Sequence, residues 1–590
     1  MILLGMVMAI SCGREAPRLN VLIIAVDTLR ADHLSCYGYH RETSPGTDRL
    51  ARSGVLCARC LSSAPWTLPS FATIFTSLHP TQHGATAVKT HMRDSFPTLA
   101  GILKDNGYAT GAIVNAPALK PANGVARGFD FYHMTPLDGR DAAGTTRDVL
   151  GWIDEVEDSS FFMFAHYFDP HLSYSPPPPY DRLYFPGYRG RIGNSFNLEG
   201  FSRVRDSMFV QMRDLEDDDW KQIVALYDGE IAFTDSAVGA LLEGLEDRGL
   251  IENTLIVFLS DHGEEFFEHG GFEHGHTLYD ELIHVPLIFS APGILPENAR
   301  VERQVRLLDV APTILDILDV PLEPHFEGVS LRPLLTGKGA VSPLGDDLLP
   351  AEAAYAEAMM HSTEQKCLSV YPWKLTSWMM TGEQALFDLE IDPDEMNDLA
   401  GREPEPLARL DNQLHRALFG MADTWYIELG AGDRTRAFDV GVLAEKGLMP
   451  GSITASKILD SSGRLAADQA PLRLVRSRSA LELKDFRFKG TATLAFRVEP
   501  ERIPVKFDFR IDGNPAADVT FLGDAHSNPG EMPFVQKGKR SQVLSEGRPA
   551  APLSAPYILV WFEKAAYRGE TFLKLDEETK KELRSLGYIQ

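Results

Sequence analysis

An aspartate, Asp27, closes the apolar run NVLIIAVD, and a second apolar run, NTLIVFLSDHGEE, delivers Asp261 and His262 in the same way. Two carboxylates and an imidazole at adjacent strand ends make a divalent-metal site, rich in oxygen and with coordination positions left open. Taken singly, each residue has a plainer reading: Asp27 as a helix cap, His262 as a hydrogen-bonded histidine near the surface. Their joint placement favours the metal. A third run, SFFMFAHYFDPH, carries His166, Asp169 and His171 at its end. Thr67 lies in SSAPWTLPSFATIFTS, where WTLPS reads as a helix start with Thr67 or Ser70 capping exposed N–H groups. A hydroxyl there also gains from the positive end of the helix dipole.

The elements that must position these groups follow from the same runs. Residues 20–27, 160–171 and 253–265 are short and almost continuously apolar, as strands buried on both faces are. Amphipathic stretches at 96–108, 224–249 and 307–320 read as helices between them. The alternation predicts an α/β fold with a parallel sheet, whose ligand site lies at the carboxyl ends of its strands. The proline-rich SPPPPY (175–180) and the polar 181–215 read as surface insertions beside the site, with a stiff linker as the other reading of the prolines. From about residue 425 the pattern changes to the period-two alternation of antiparallel strands, as in TATLAFRV and VKFDFRID. The expected division is a leader at 1–18, a catalytic domain at 19–424, a β-rich domain at 425–575 and a helix at 576–590.

Composition narrows the function. The chain has 590 residues, of which 44% are hydrophobic, enough for more than one domain and a large core. A formal net charge of −26 argues against general nucleic-acid binding, which needs clustered Lys and Arg. An anionic substrate would therefore need a metal or local histidines for its positive field. The start, MILLGMVMAISCGREAP, is too short to span a bilayer and ends in small residues. Its Ala9-Ile10-Ser11-Cys12 resembles a bacterial lipoprotein cleavage box. That predicts an exported, periplasmic or outer-surface protein whose membrane contact is a lipid on Cys12; a plain secretory signal is the alternative. Of the other four cysteines, Cys57 and Cys60 have spacing for a small disulfide, although structural thiols are the better reading.

Over residues 19 to 400 the chain resembles the sulfatase family of the alkaline phosphatase superfamily. The resemblance rests on NVLIIAVDTLRADHLSCYGY, APWTLPSFATIFTSLHPTQHGA, HYFDPHLSYSPPPPY, SDHGEEFFEHGGFEHGHTLYDELIHVPLIF, LLDVAPTILDIL, FEGVSLRPLL and LFDLEIDPDEMNDLA, in family order. It implies a large mixed, mostly parallel sheet flanked by helices, with a smaller C-terminal β-rich domain. It also implies a divalent metal (zinc, manganese or calcium) held by Asp27, Asp261, His262 and Thr67. Thr67 would be the nucleophile, as in phosphoethanolamine transferases. His171 and His274 would bind the ester's oxygens or leaving group, with His276 competing for the second role and His166 and Asp169 as weaker candidates.

Two departures matter. Formylglycine sulfatases have Cys or Ser, then x-Pro-Ser-Arg, where this chain has Thr67-Leu68-Pro69-Ser70-Phe71, so no formylglycine is expected. Thr28 also stands where a second aspartate often follows the first metal ligand. A threonine hydroxyl is a poor nucleophile unless a metal lowers its pKa. Attack at phosphorus gives a phosphothreonine that water can hydrolyse, whereas a sulfothreonine lacks the hydrate's second hydroxyl and cannot expel sulfate by hemiacetal collapse. The expectation is a hydrolase of sulfuric or phosphoric esters, phosphorus slightly favoured, acting on an anionic ester that is glycan- or lipid-linked. A phospho-substituent transferase and a non-catalytic glycan-binding protein are the alternatives.

Overall fold

A computed structural model describes residues 18–338 except 89, 136–140, 157–158, 200 and 202–204, and residues 353–421 except 359–364 and 379–382. Between 424 and 563 it describes the backbone of the strand segments. The predicted leader and C-terminal helix lie outside the described residues.

Eight strands form the central sheet: β1 (Asn20–Val26), β2 (Val55–Cys57), β3 (Ala109–Val114), β4 (Phe131–Met134), β5 (Phe161–Tyr167), β6 (Thr254–Leu259), β7 (Leu287–Ser290) and β8 (Ala299–Val301). Their order is β8-β2-β7-β6-β1-β5-β3-β4. The strand β1 lies between β5 and β6 and is parallel to both, which brings the three predicted runs side by side. β7 is antiparallel to its neighbours β6 and β2, so the sheet is mixed. Every residue of β1, β5 and β6 is buried, the pattern expected of strands covered on both faces.

The layers on the two faces are α1 (Thr67–Thr76), α2 (Ala142–Glu155), α3 (Asp217–Asp247) and α4 (Val310–Ile317). Side chains alternate across a strand, and the core divides accordingly. Val21, Ile23 and Ala25 of β1, Phe162 and Phe164 of β5 and Leu255, Val257 and Leu259 of β6 pack with Phe71 and Phe75 of α1 and Ile314 of α4. Leu22, Ile24, Met163, Ala165, Ile256 and Phe258 pack with Trp152 of α2 and Leu241 of α3. Burial of a phenylalanine such as Phe71 contributes about 1.5–3 kcal/mol. Continued past the strand ends, the alternation assigns Asp27, His166 and Asp261 to the face covered by α1.

The predicted helices are present with shifted bounds. The 96–108 stretch forms a helix over Leu99–Asp105, capped by Thr98, whose side chain accepts from the Gly101 N–H. The 224–249 stretch is the C-terminal part of the longer α3. The 307–320 stretch begins as a 3-10 turn at Leu307–Asp309 before α4. The proline segment is not a linker: Ser175 N–H donates to Glu230 of α3 at 2.6 Å, and the Tyr180 ring lies 5.6 Å from Phe233. Cys57 and Cys60 are free buried thiols and form no disulfide.

A four-stranded antiparallel meander, β9 (Ala354–Ala358), β10 (Gln365–Val370), β11 (Trp373–Trp378) and β12 (Gln384–Asp388), follows the central sheet. Leu410 and Leu414 of α5 (Pro404–Met421) pack on its Tyr355, Leu368 and Leu375. The alternating C-terminal segments form a further, largely antiparallel sheet. Its spine is β13 (Thr424–Ala444) paired with β14 (Ala480–Val498), so ALELKDF and TATLAFRV are one long strand. Among the described residues no helix is long and apolar enough to cross a membrane.

Candidate active site

The chain leaves β1 through Asp27, whose N–H donates to Tyr167 O at 2.9 Å. Thr28 then takes a left-handed φ of 54°, unusual for a β-branched residue, and turns the backbone sharply away. The turn is held by Tyr227 of α3, which donates to Thr28 O at 2.7 Å and accepts from Arg30 N–H at 3.0 Å. Asp261 and His262 follow β6 at the adjacent position. Asp27, Asp261 and His262 each offer one ligand atom, all within 4.8 Å of one another, and all three residues are fully buried.

Thr67 is the first residue of α1, also fully buried, and its Oγ1 lies 3.3 Å from His262 Nε2. The capping role expected of Thr67 or Ser70 is not what the structure has. Trp66 occupies the N-cap and provides no side-chain cap, while the Ser70 hydroxyl donates to Asp261 O at 2.8 Å.

The tautomer of each site histidine follows from its Nδ1 partner. Main-chain carbonyls only accept, so His262 Nδ1, 2.9 Å from Gly263 O, carries the proton. His262 Nε2 therefore turns a lone pair towards Asp261 Oδ2 at 3.3 Å and Asp27 Oδ1 at 3.5 Å. His171 Nδ1 likewise donates to Leu172 O at 2.8 Å, and His274 Nδ1 to Glu264 Oε1 at 2.9 Å. Burial pushes His262 down to about 3 and His171 to about 4, which keeps both rings neutral and able to present a lone pair.

Both carboxylates are pushed well above the ordinary range, Asp27 by burial and Asp261 by burial and then by the neighbouring Asp27 charge. All four of their oxygens are buried without a hydrogen-bond partner. Orphaned oxygens facing an imidazole lone pair fit a divalent cation. Asp27, Asp261, His262 and Thr67 would hold it, and the ion would lower the hydroxyl pKa and neutralise charge on the ester.

The remaining candidates separate clearly. The ring centroid of His274 is 4.4 Å from that of His262 and 5.0 Å from that of His171. His276 is turned aside, with Nε2 on Glu265 Oε2 at 2.8 Å. Asp169 serves the start of α2, accepting from Ala142 N–H at 3.0 Å. His166 faces Asp27 Oδ2 from β5 at 3.2 Å. From its position Glu264 reads as a supporting or surface residue and not as a ligand, and the structure gives it the supporting place. It is fully buried and accepts from both His274 and Tyr174, the latter at 3.0 Å. Only the spacing to His274 hints at that role. Asn115, one residue beyond β3, was missed; its Oδ1 lies 3.2 Å from His166 Nδ1.

Comparison with known proteins decides the family. The family profile described as Sulfatase matches residues 19–320. The chain belongs to the sulfatase family. A second profile, N-sulphoglucosamine sulphohydrolase, C-terminal, matches residues 267–423. This sulfatase-family chain is 22% identical to the Delta 4,5-hexuronate-2-O-sulfatase of Bacteroides thetaiotaomicron, over 67% of its own length and 88% of that protein. Its fold is shared by an enzyme solved in complex with its substrate D-glucosamine-2-N,6-O-disulfate, at TM-score 0.57 and 21% identity, covering 68% of this chain and 97% of the other. It is shared also by the phosphonate monoester hydrolase of Silicibacter pomeroyi, at TM-score 0.56 and 23% identity, covering 68% and 95%. The family is one of metal-dependent ester hydrolases, and this chain is an ester hydrolase of that family.

Proposed function

We propose that the protein hydrolyses phosphoric esters in preference to sulfuric esters, with Thr67 as its nucleophile. The observation that carries this reading is Thr67 Oγ1 at 3.3 Å from His262 Nε2, at the start of α1 and beside two carboxylates without partners. A bound divalent ion (zinc, manganese or calcium) supplies the positive charge that makes the hydroxyl acidic and shields the ester's oxygens. Thr67 Oγ then forms a bond to phosphorus as the ester oxygen leaves. The proton lost from Thr67 and the one gained by the leaving alkoxide balance. Water next attacks the phosphothreonine, releasing phosphate and restoring the hydroxyl. His171 and His274, each fixed by its Nδ1, face the ester with Nε2 and bind its non-bridging or leaving oxygen once that nitrogen has taken up a proton, the one lost by Thr67 among them. Positioning and charge stabilisation account for most of the acceleration.

The substrate class is an anionic ester on a glycan, in keeping with the sugar sulfates named for the relatives; a lipid-linked ester is the variant of the same reading. The solved phosphonate monoester hydrolase supports phosphorus chemistry on this fold. We place the protein outside the cytoplasm, held by a lipid on Cys12, with catalysis confined to 19–424.

The test is turnover of aryl sulfate, aryl phosphate and aryl phosphodiester side by side, with Thr67→Ala as control and mass spectrometry of Thr67 after rapid acid quench. Phosphorus-ester cleavage lost by at least about 1000-fold in the variant, with transient phosphothreonine, is the expected result. Thr67-dependent turnover of the sulfate alone would overturn the preference.

A further inference from the structure

We infer that His166 is a further ligand of the metal centre, reaching it from the neighbouring strand. This rests on the metal-centre reading above. His166 stands near the end of β5, whose register pairs it with Ala25 of β1, two residues before Asp27. It is fully buried on the α1 face, its ring 5.3 Å edge-on from Phe71.

The argument is one of lone pairs. His166 Nδ1 lies 3.2 Å from Asn115 Oδ1, a carbonyl oxygen, so the ring proton belongs on Nδ1. That leaves Nε2 as a lone pair, 3.2 Å from Asp27 Oδ2. The two atoms are not aligned for a hydrogen bond, and each is buried with no hydrogen-bond partner. Two acceptors held face to face away from water repel unless a proton or a metal cation lies between them, and the poor alignment of this pair for a hydrogen bond favours the metal. Asp27 thus has an imidazole at each oxygen, His262 at 3.5 Å from Oδ1 and His166 at 3.2 Å from Oδ2.

Thr28, next to Asp27, brings no carboxylate to the centre. Its hydroxyl is a weaker donor to a metal, and it too is buried without a partner. The ligand set becomes two carboxylates, two imidazoles and the Thr67 hydroxyl. Calcium takes oxygen ligands, whereas imidazole suits zinc and other first-row ions. The second imidazole, from His166, therefore selects zinc over calcium. The Asn115 contact has the form usual for ligating histidines, whose second nitrogen donates to an oxygen that fixes the ring.

The experiment reads the metal and not turnover. Full-length ion-free protein is loaded with zinc, and X-ray absorption at the zinc edge counts imidazole ligands in wild type and His166→Asn. Zinc affinity is taken from chelator competition. The variant is expected to show one imidazole fewer and an affinity lower by at least about 100-fold. An unchanged imidazole count overturns the inference and leaves the metal-centre reading intact; wild-type protein that takes up no ion sinks both. Should His166→Asn fail to fold, the pair Thr28→Asp with His166→Asn supplies a carboxylate next to Asp27 in its place. It is expected to bind with one imidazole fewer and to shift selectivity towards calcium by at least about tenfold. Wild-type selectivity retained in that pair would count against His166.

Discussion

The Ser70 hydroxyl donates to the main-chain carbonyl of Asp261 at 2.8 Å, joining the first turn of the helix that begins at Thr67 to the loop that carries two metal-type ligands. Ser62 Oγ lies 3.0 Å from the same hydroxyl. The spacing between Thr67 and His262 is therefore set by a bond that involves neither residue. Ser70→Ala should lower kcat by about 10- to 100-fold with little change in KM, because the nucleophile is displaced and not removed. Steady-state kinetics beside thermal melting will show it; a loss of stability with normal kcat would argue against this bond as the spacer.

Glu264 bears on the other side of the site. It accepts from His274 Nδ1 and from Tyr174, and its own charge is buried. Glu264→Gln preserves shape but removes the charge that makes His274 Nε2 a strong base. We expect kcat to fall by about 10- to 100-fold, as when the carboxylate behind a working histidine is changed. A kcat equal to wild type would remove Glu264 from the machinery.

Stability towards acid should depend on His83. It is fully buried, with Nδ1 accepting from Ala85 N–H at 3.2 Å and Nε2 donating to Pro69 O at 3.1 Å, both in the neutral form. Burial lowers it from 6.5 to about 3. Its folded pKa lies below its unfolded one, so the unfolded chain takes up the proton first. The contribution is complete above about pH 6.5 and is lost as pH falls towards 3, at no more than about 1.4 kcal/mol per pH unit. Urea unfolding of wild type and His83→Gln between pH 4 and 8 should converge in acid. Parallel lines across that range would exclude it.

Lys374 of β11 is fully buried between Asp280 at 2.7 Å and Glu395 at 2.8 Å. Asp280 also holds Arg59, at 2.6 Å, so the meander is fastened to the central sheet's loops by charge. Lys374→Met leaves two buried acids facing one another and should cost about 3–5 kcal/mol. Adding Asp280→Asn and Glu395→Gln should recover much of it. Denaturant titration of the three proteins will decide.

What could be read from the sequence follows from alternation. The apolar runs at 20–27, 160–171 and 253–265 are strands because both faces are covered, and parity along each one carries Asp27, His166 and Asp261 to the side of α1. The residue types alone indicated the cluster of Asp27, Asp261 and His262. The choice between His274 and His276 was illegible, because both follow Glu273 in one short loop and only their long-range partners, Glu264 and Glu265, separate them. Asn115 was illegible for the same reason: a single amide after IV carries no periodic signal. The mixed character of the sheet came with the family resemblance, but which strand runs antiparallel was illegible and the meander was missed, since short two-sided apolar runs do not state their direction.

The sheet order also fixes a sequence of events in time. Of the described strands β1 is made first, yet both of its neighbours come much later, β5 at 161 and β6 at 254. Until then its apolar run has nothing to pair with, and Asp27 is a lone carboxylate on an open chain. An ion met early in synthesis finds no cage. The cluster of Asp27, Asp261 and His262 is complete only when the chain has grown past His262, so an ion held there would be acquired late, once the middle strands of the central sheet exist.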